Sequence, residues 1–275
     1  MTQDRTDRPG TEAALRARIA RIPVEGSPAQ MRRGFARLAG AQPQLVETER
    51  GGVPCLAAGA GPELVWFHGG GYVFGAPETH GLLARYLAAQ GLRVLLPRYR
   101  LAPEHPWPAM LEDAMAVARA SGPAAVLGGD SAGGHLALSA ALRCDVAGLA
   151  LVSPNTDRSG RSRTRDRDGD AMNDDATDAR LFRMAMPGAD PGAGEASPVL
   201  ADLSRLPPLH LEAAGAEMLL DDTLILAREA ALAGADLRLR VVPGLFHLFP
   251  LWPDALPEGA AVLARIAAFV HEMQA

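Results

Sequence analysis

The sequence predicts a mostly parallel α/β sheet covered by helices on both faces. Three observations predict it. Short apolar runs alternate with helix-like stretches along most of the chain. A Gly-Asp-Ser-Ala-Gly pentapeptide stands where one strand candidate turns directly into a helix. One long stretch, residues 155–200, breaks the rhythm as an excursion between core elements would.

Taken in order, residues 1 to about 40 read as helical and arginine-rich, with breaks at Pro23 and Gly26-Ser27-Pro28. Leu15, Ile19 and Ile22 recur at helical spacing there. Residues 63–67 form a buried-strand candidate that runs into His68-Gly69-Gly70-Gly71. A helix is expected over about 80–90, a strand over 93–96 and a helix over about 108–120. The strand at 124–127 ends at Gly128-Gly129, and a helix over about 132–142 follows at once. Strands at 146–152, 209–213 and 237–242 come next, with helices at about 179–186, 222–233 and 258–273. Parallel strands of this kind are buried on both faces, so they read as continuous apolar runs. The stretch Arg158 to Asp168 is dense in charge and has no apolar period, so it reads as a solvated, mobile loop.

Composition narrows the chemistry. The net charge of −5 and a pI near 5.8 argue against a nucleic-acid binder. All 27 basic residues are arginine. That excludes a lysine Schiff base, a Walker-type phosphate loop and a Ser-Lys dyad. Cys55 and Cys144 are far apart and read as two buried free thiols. The polar start Met1-Thr2-Gln3-Asp4-Arg5 has no apolar signal region, and no run reaches membrane-span length. A cytoplasmic protein without a membrane span is the expectation, acting without metal or cofactor.

The pentapeptide 129–133 carries the chemistry. A serine on a sharp strand-to-helix turn is held in strained backbone geometry, with its oxygen exposed above the sheet. The helix beneath favours negative charge at its N-terminus. Ser131 is therefore the candidate nucleophile. The glycines of 68–71 allow backbone N–H groups to approach a substrate oxygen, and such donors stabilise the oxyanion of acyl transfer. The glycines of His68-Gly69-Gly70-Gly71 and Ala132, the residue after the nucleophile, are the candidate donors, with Asp130 at the variable position of the pentapeptide. The base should be a histidine after Ser131. His135 lies one helical turn away and reads as a packing residue, His210 as a core histidine, and His271 as solvated. His247, in the loop after the last strand, is the candidate base. The acid should follow the penultimate strand, where Glu217, Asp221 and Asp222 compete. The aspartates suit an N-cap of the next helix. Glu217 is favoured and Asp221 is the reserve.

Together, HGGGYVFG (68–75), YRLAPEHPWPA (99–109), GDSAGGHLA (129–137), SPNTD (153–157) and GLFHLF (244–249) resemble the hormone-sensitive-lipase family of esterases, bacterial lipolytic family IV. The resemblance covers roughly residues 60–255. It implies one α/β-hydrolase domain over 1–275, with an eight-stranded, mostly parallel sheet. A helical cap would be built from about 1–45 and an insertion at about 155–200. It implies Ser131 as nucleophile, His247 as base, and Gly70, Gly71 and Ala132 as oxyanion donors. Glu217 falls where many members carry Asp, and Asp221 at the second, structural acidic position. Arg98 departs from the usual acidic or small polar residue before the Tyr-Arg-Leu-Ala-Pro-Glu motif.

The implied function is hydrolysis of short- to medium-chain carboxylic esters through an acyl-enzyme. A lactone hydrolase or an amidase/formamidase would use the same residues. A small-molecule receptor on this fold, as in plant gibberellin receptors, would be expected to lack the histidine that is present here as His247. Dimers through the last strand or helix occur in the family, so a homodimer is an expectation from the resemblance alone. Tyr72, Phe74, Met184 and Met186 are candidates for pocket walls or ordinary core.

Overall fold

The computed structural model describes residues 8–275, so the expectation for the first seven residues lies outside the described residues. The chain enters through two helices, α1 (Glu12–Arg21) and α2 (Pro28–Ala39). α2 starts at a capping box: Ser27 accepts from the Gln30 N–H, and the Gln30 side chain accepts from the Ser27 N–H. Pro28 at the first helical position needs no partner for a missing N–H.

The strands are β1 (Val46–Arg50), β2 (Val53–Ala58), β3 (Glu63–Phe67), β4 (Arg93–Pro97), β5 (Val126–Asp130), β6 (Gly148–Val152), β7 (Leu209–Ala214) and β8 (Leu237–Val242). They form one sheet in the order β1-β2-β4-β3-β5-β6-β7-β8. β2 is antiparallel to β1 and to β4, and every other pairing is parallel. The fold is the α/β-hydrolase fold. Periodicity does not announce the β1–β2 hairpin, because β1 is a polar, largely exposed edge strand. Its signal is Gly51-Gly52, both at positive φ, which is the chemistry of a tight hairpin turn.

The remaining helices are α3 (Gly81–Ala89), α4 (Ala109–Ser121), α5 (Ala132–Ala141), α6 (Asp175–Ala185), α7 (Leu220–Leu232) and α8 (Pro257–Met273). Side chains alternate across the sheet with period two. Val65, Phe67, Leu127 and Leu151 join α4, α5 and α7 on one face. Leu64, Trp66, Val126 and Val152 join α3 and α8 on the other. Both faces are dry, which explains the unbroken apolar runs.

The topology also fixes where the loops meet. From β3 the chain crosses to β4 on one side, while from β5 it proceeds through β6, β7 and β8 on the other. The crevice of an open α/β sheet lies at such a reversal, beyond the carboxyl ends of the strands. Phe67 pairs with Gly129, so the loops after β3 and β5 leave the sheet side by side.

The insertion differs from its expectation in two respects. Helix α6 begins at Asp175, because Asp174 caps it by accepting from the Thr177 N–H at 2.8 Å. The charged stretch is not a freely solvated loop. Arg158 binds Asp178 at 2.5 Å. Arg165 binds Asp178 at 2.8 Å, and also Asp222 and Asn155 at 2.7 Å. Both aspartates are buried, and Asn155 donates to Asp178 at 2.7 Å. These non-local ion pairs stitch the insertion to α6, α7 and the loop after β6. The insertion also reaches the entry helices, since Arg180 donates to the Gly26 carbonyl at 3.3 Å.

Candidate active site

Ser131 sits between β5 and α5 with φ 54° and ψ −122°, a conformation that non-glycine residues rarely adopt. The surroundings over-determine it. Its N–H donates to the Val152 carbonyl at 3.1 Å, and its carbonyl accepts from the His135 and Asn155 N–H groups at 3.1 Å. The flanking glycines are sterically required. A Cβ on Gly133 would stand 2.0 Å from the Phe67 carbonyl oxygen, and one on Gly129 would stand 2.4 Å from the Gly133 oxygen. Ala132, fully buried, opens α5 directly after the serine.

The loop after β3 is fastened to this turn by Asp130. One carboxylate oxygen accepts from the Gly69 N–H at 2.9 Å, and the other from Trp66 Nε1 at 2.8 Å. His80 Nε2 lies 3.1 Å from the same carboxylate. Burial alone would raise the Asp130 pKa, but the charge and hydrogen bond of His80 and the bond from Trp66 hold it below the ordinary carboxylate value. His68 stacks on Tyr99 with ring centroids 4.3 Å apart, and Tyr99 donates to the His68 carbonyl at 2.6 Å. Burial and the neighbouring His80 push the His68 pKa down to about 3, so it is neutral. Gly70 and Gly71 follow with φ of 121° and 57°.

His247 lies beyond β8 and Glu217 beyond β7, both buried. His247 Nδ1 is 2.7 Å from Glu217 Oε2. A carboxylate only accepts, so Nδ1 carries the proton and Nε2 keeps the lone pair when the ring is neutral. The other oxygen, Glu217 Oε1, accepts from the Ala214 N–H at 2.9 Å, which fixes the carboxylate in its turn. Burial would lower the His247 pKa. The Glu217 hydrogen bond and charge, with the charges of Asp170 and Asp130, outweigh it and leave the pKa above the ordinary histidine value. Ser131, His247, Gly70 and Gly71 line one cavity of about 40 Å³, walled by Val24, Phe35, Phe74, Met172, Leu181 and Leu248.

Comparison with known proteins bears on this arrangement. Residues 64–251 match the family described as alpha/beta hydrolase fold. The chain belongs to the α/β-hydrolase family. It is 35% identical to an acetyl-hydrolase of Streptomyces hygroscopicus over 226 residues, covering 77% of this chain and 76% of that protein. It is 36% identical to carboxylesterase NlhH of Mycobacterium tuberculosis over 229 residues, covering 74% and 71%. A hormone-sensitive lipase from a metagenome library superposes with TM-score 0.88 at 31% identity, over 96% of this chain and 97% of that one. An esterase from the bacterial hormone-sensitive lipase family superposes with TM-score 0.86 at 33% identity, over 95% and 96%. The hormone-sensitive-lipase branch of the α/β hydrolases is thus where this chain falls.

Within this α/β hydrolase the other candidates separate cleanly. Asp221 does not approach His247; its carboxylate accepts from the Arg163 N–H at 2.7 Å. Neither Asp221 nor Asp222 caps α7, whose N-cap is Leu219; both lie in its first turn. Asp222 accepts from the Thr156 and Asp157 N–H groups at 3.0 and 2.9 Å. His135 is buried and neutral, its pKa lowered to about 3 chiefly by burial. It accepts from the Tyr72 hydroxyl and donates to the Glu195 carbonyl. His210 is buried against Phe269 and pairs with Glu212 at 3.0 Å. His271 donates to the Gln90 carbonyl at 2.8 Å on an exposed face. Arg98 pairs with Glu78, away from the cavity. Of the four wall candidates only Phe74 lines the cavity. Cys55 is buried and Cys144 half-buried, both free. No helix among the described residues is long and apolar enough to cross a membrane.

Sequence reasoning missed His80, Trp66 and Asp170. Each contacts the site across a gap of tens of residues, and no local spacing marks them.

Proposed function

We propose that this protein is a serine carboxylesterase in which Ser131, His247 and Glu217 act as nucleophile, base and acid. The observation that carries the reading is the 2.7 Å bond from His247 Nδ1 to Glu217, with His247 and a strained Ser131 on one cavity. His247 removes the Ser131 proton as Oγ attacks the ester carbonyl carbon. The oxyanion is held by the N–H groups of Gly70, Gly71 and Ala132. The imidazolium, stabilised by Glu217, protonates the departing alcohol. Water, deprotonated by His247, then attacks the acyl-enzyme; the serine leaves with a proton and the acid is released.

The substrate class follows from the cavity. Sites for drug-sized ligands usually span about 300–1,000 Å³, whereas the space beside Ser131 is about 40 Å³. That favours a short acyl group, and one relative is named for acetyl hydrolysis. On p-nitrophenyl esters kcat/KM should be highest for acetyl or propionyl and fall at least ~10-fold by octanoyl. The discrimination follows from steric exclusion. Ser131→Ala should abolish turnover and covalent labelling by a fluorophosphonate. Retention of most of the wild-type rate in Ser131→Ala would overturn the reading.

A further inference from the structure

The insertion carries a carboxylate that has no part in the triad yet touches both of its supporting loops. Asp170 Oδ1 lies 3.3 Å from the backbone N–H of His247 and 3.1 Å from that of Met172. Its Oδ2 lies 3.2 Å from the N–H of Met218, the residue after Glu217. We infer that Asp170 is a positioning residue, by which the cap insertion clamps the loops that hold Glu217 and His247 in register. The inference rests on the roles proposed above for those two residues.

Two features support it. First, the loops beyond β7 and β8 are joined by backbone bonds only as far as Ala216, whose N–H donates to the Leu245 carbonyl at 2.9 Å. A single carboxylate accepting from the N–H groups of Met218 and His247 extends that tie past Glu217 and to the histidine itself, and charge-assisted bonds to backbone N–H groups are stronger than neutral ones. Second, its charge is among those that raise the His247 pKa. The charged or titratable groups around His247 are Glu217 from the turn after β7, Asp170 from the insertion and Asp130 from the elbow, with Asp178 of α6 on the same cavity. Arg16 of α1 stacks on the adjacent Phe246 ring at 4.9 Å. The three carboxylates all favour the protonated base, and among the described residues Asp170 is held by the backbone N–H groups of Met172, Met218 and His247.

The test compares Asp170→Asn, which is isosteric but neutral, with Asp170→Ala and Asp170→Glu. Rates are measured on p-nitrophenyl acetate, and the His247 imidazole is titrated by NMR, assigned with His247→Gln. Asp170→Asn and Asp170→Ala should lower kcat about 10-fold, the scale of a modest misplacement of a catalytic group, with KM within ~2-fold. The acid limb of the pH profile and the His247 titration should both move to lower pH in these two variants. Asp170→Glu should return the titration toward wild type. Wild-type kcat and an unmoved titration would overturn the inference. So would a loss of kcat with the titration unmoved, which would leave the Glu217–His247 pair undisturbed and reflect general destabilisation instead. Should Asp170→Ala fail to fold, Asp170→Asn decides. If the wild type hydrolyses no ester, the esterase reading fails on its own, and the titration still decides whether Asp170 acts on His247.

Discussion

At the scale of single residues, the contrast between Glu217 and Asp221 is the sharpest available. Glu217 is fully buried and bonded to His247, while the half-buried Asp221 accepts from the Arg163 backbone N–H. Glu217→Ala should lower kcat about 10³–10⁴-fold, the range seen when a triad acid is disabled, and Asp221→Ala should stay within ~3-fold. Steady-state kinetics on one ester checks both. The sign of the pH dependence follows from the raised His247 pKa. The base must be neutral, so kcat/KM should fall as pH drops through a value above that of free imidazole. Glu217→Gln should move this limb to lower pH. Stability runs the other way: the charged pair contributes fully below the ordinary histidine pKa, and that contribution is lost as pH rises through the raised value. The strand ends that carry Ser131, Glu217 and His247 were legible as short motifs, and it is Glu217 rather than Asp221 that bonds His247. Asp170, 77 positions before His247, was not. His80 and Trp66, which bind Asp130 from 50 and 64 positions away, were equally silent in the sequence.

At the scale of elements, the insertion is held by ions as well as by the buried apolar side chains of Leu181, Ala185, Met186 and Val199. Arg165 is nearly buried between Asp178 and Asp222, and Asp178 is held down to about 2 by Arg158 and Arg165 against the cost of its burial. Removing one partner of such a cluster leaves an uncompensated charge inside the protein. Arg165→Met should therefore cost about 3–5 kcal/mol, read from urea denaturation. Amide exchange should rise across 158–186 while the sheet stays protected. A merely decorative surface pairing would leave both measurements unchanged. Local periodicity misleads here. Eleven residues dense in charge look solvated when their partners, up to 68 positions away, are out of view. The same blindness hides β1, whose polar residues form an edge that only the glycine pair betrays.

At the scale of the whole molecule, two buried neutral histidines set the response to acid. His68 and His135 both have pKa values lowered to about 3, first by burial. In the unfolded chain they take up protons near the ordinary value of about 6.5. Their contribution to stability is complete above that value and declines as pH falls from it toward 3. Thermal melts between pH 7 and 4 should show a falling midpoint, and His135→Gln should flatten the slope. The alternation of strands and helices was legible because burial on both faces writes continuous apolar runs into the sequence. Strand order was not legible, since pairing partners such as Phe67 and Gly129 lie 62 positions apart. The family resemblance implied only eight strands, mostly parallel.

The Asp130 junction has a consequence for how this protein can change. One side chain anchors the Gly69 N–H, Trp66 and His80 while forming part of the serine turn. Substitutions in any of these four positions are coupled, so their effects in a mutant library should be non-additive. Residues lining the cavity from the entry segment and the insertion, such as Val24, Met172 and Leu181, share none of those partners. Laboratory selection for bulkier esters should therefore accumulate its early, freely combining changes there, while the junction stays fixed.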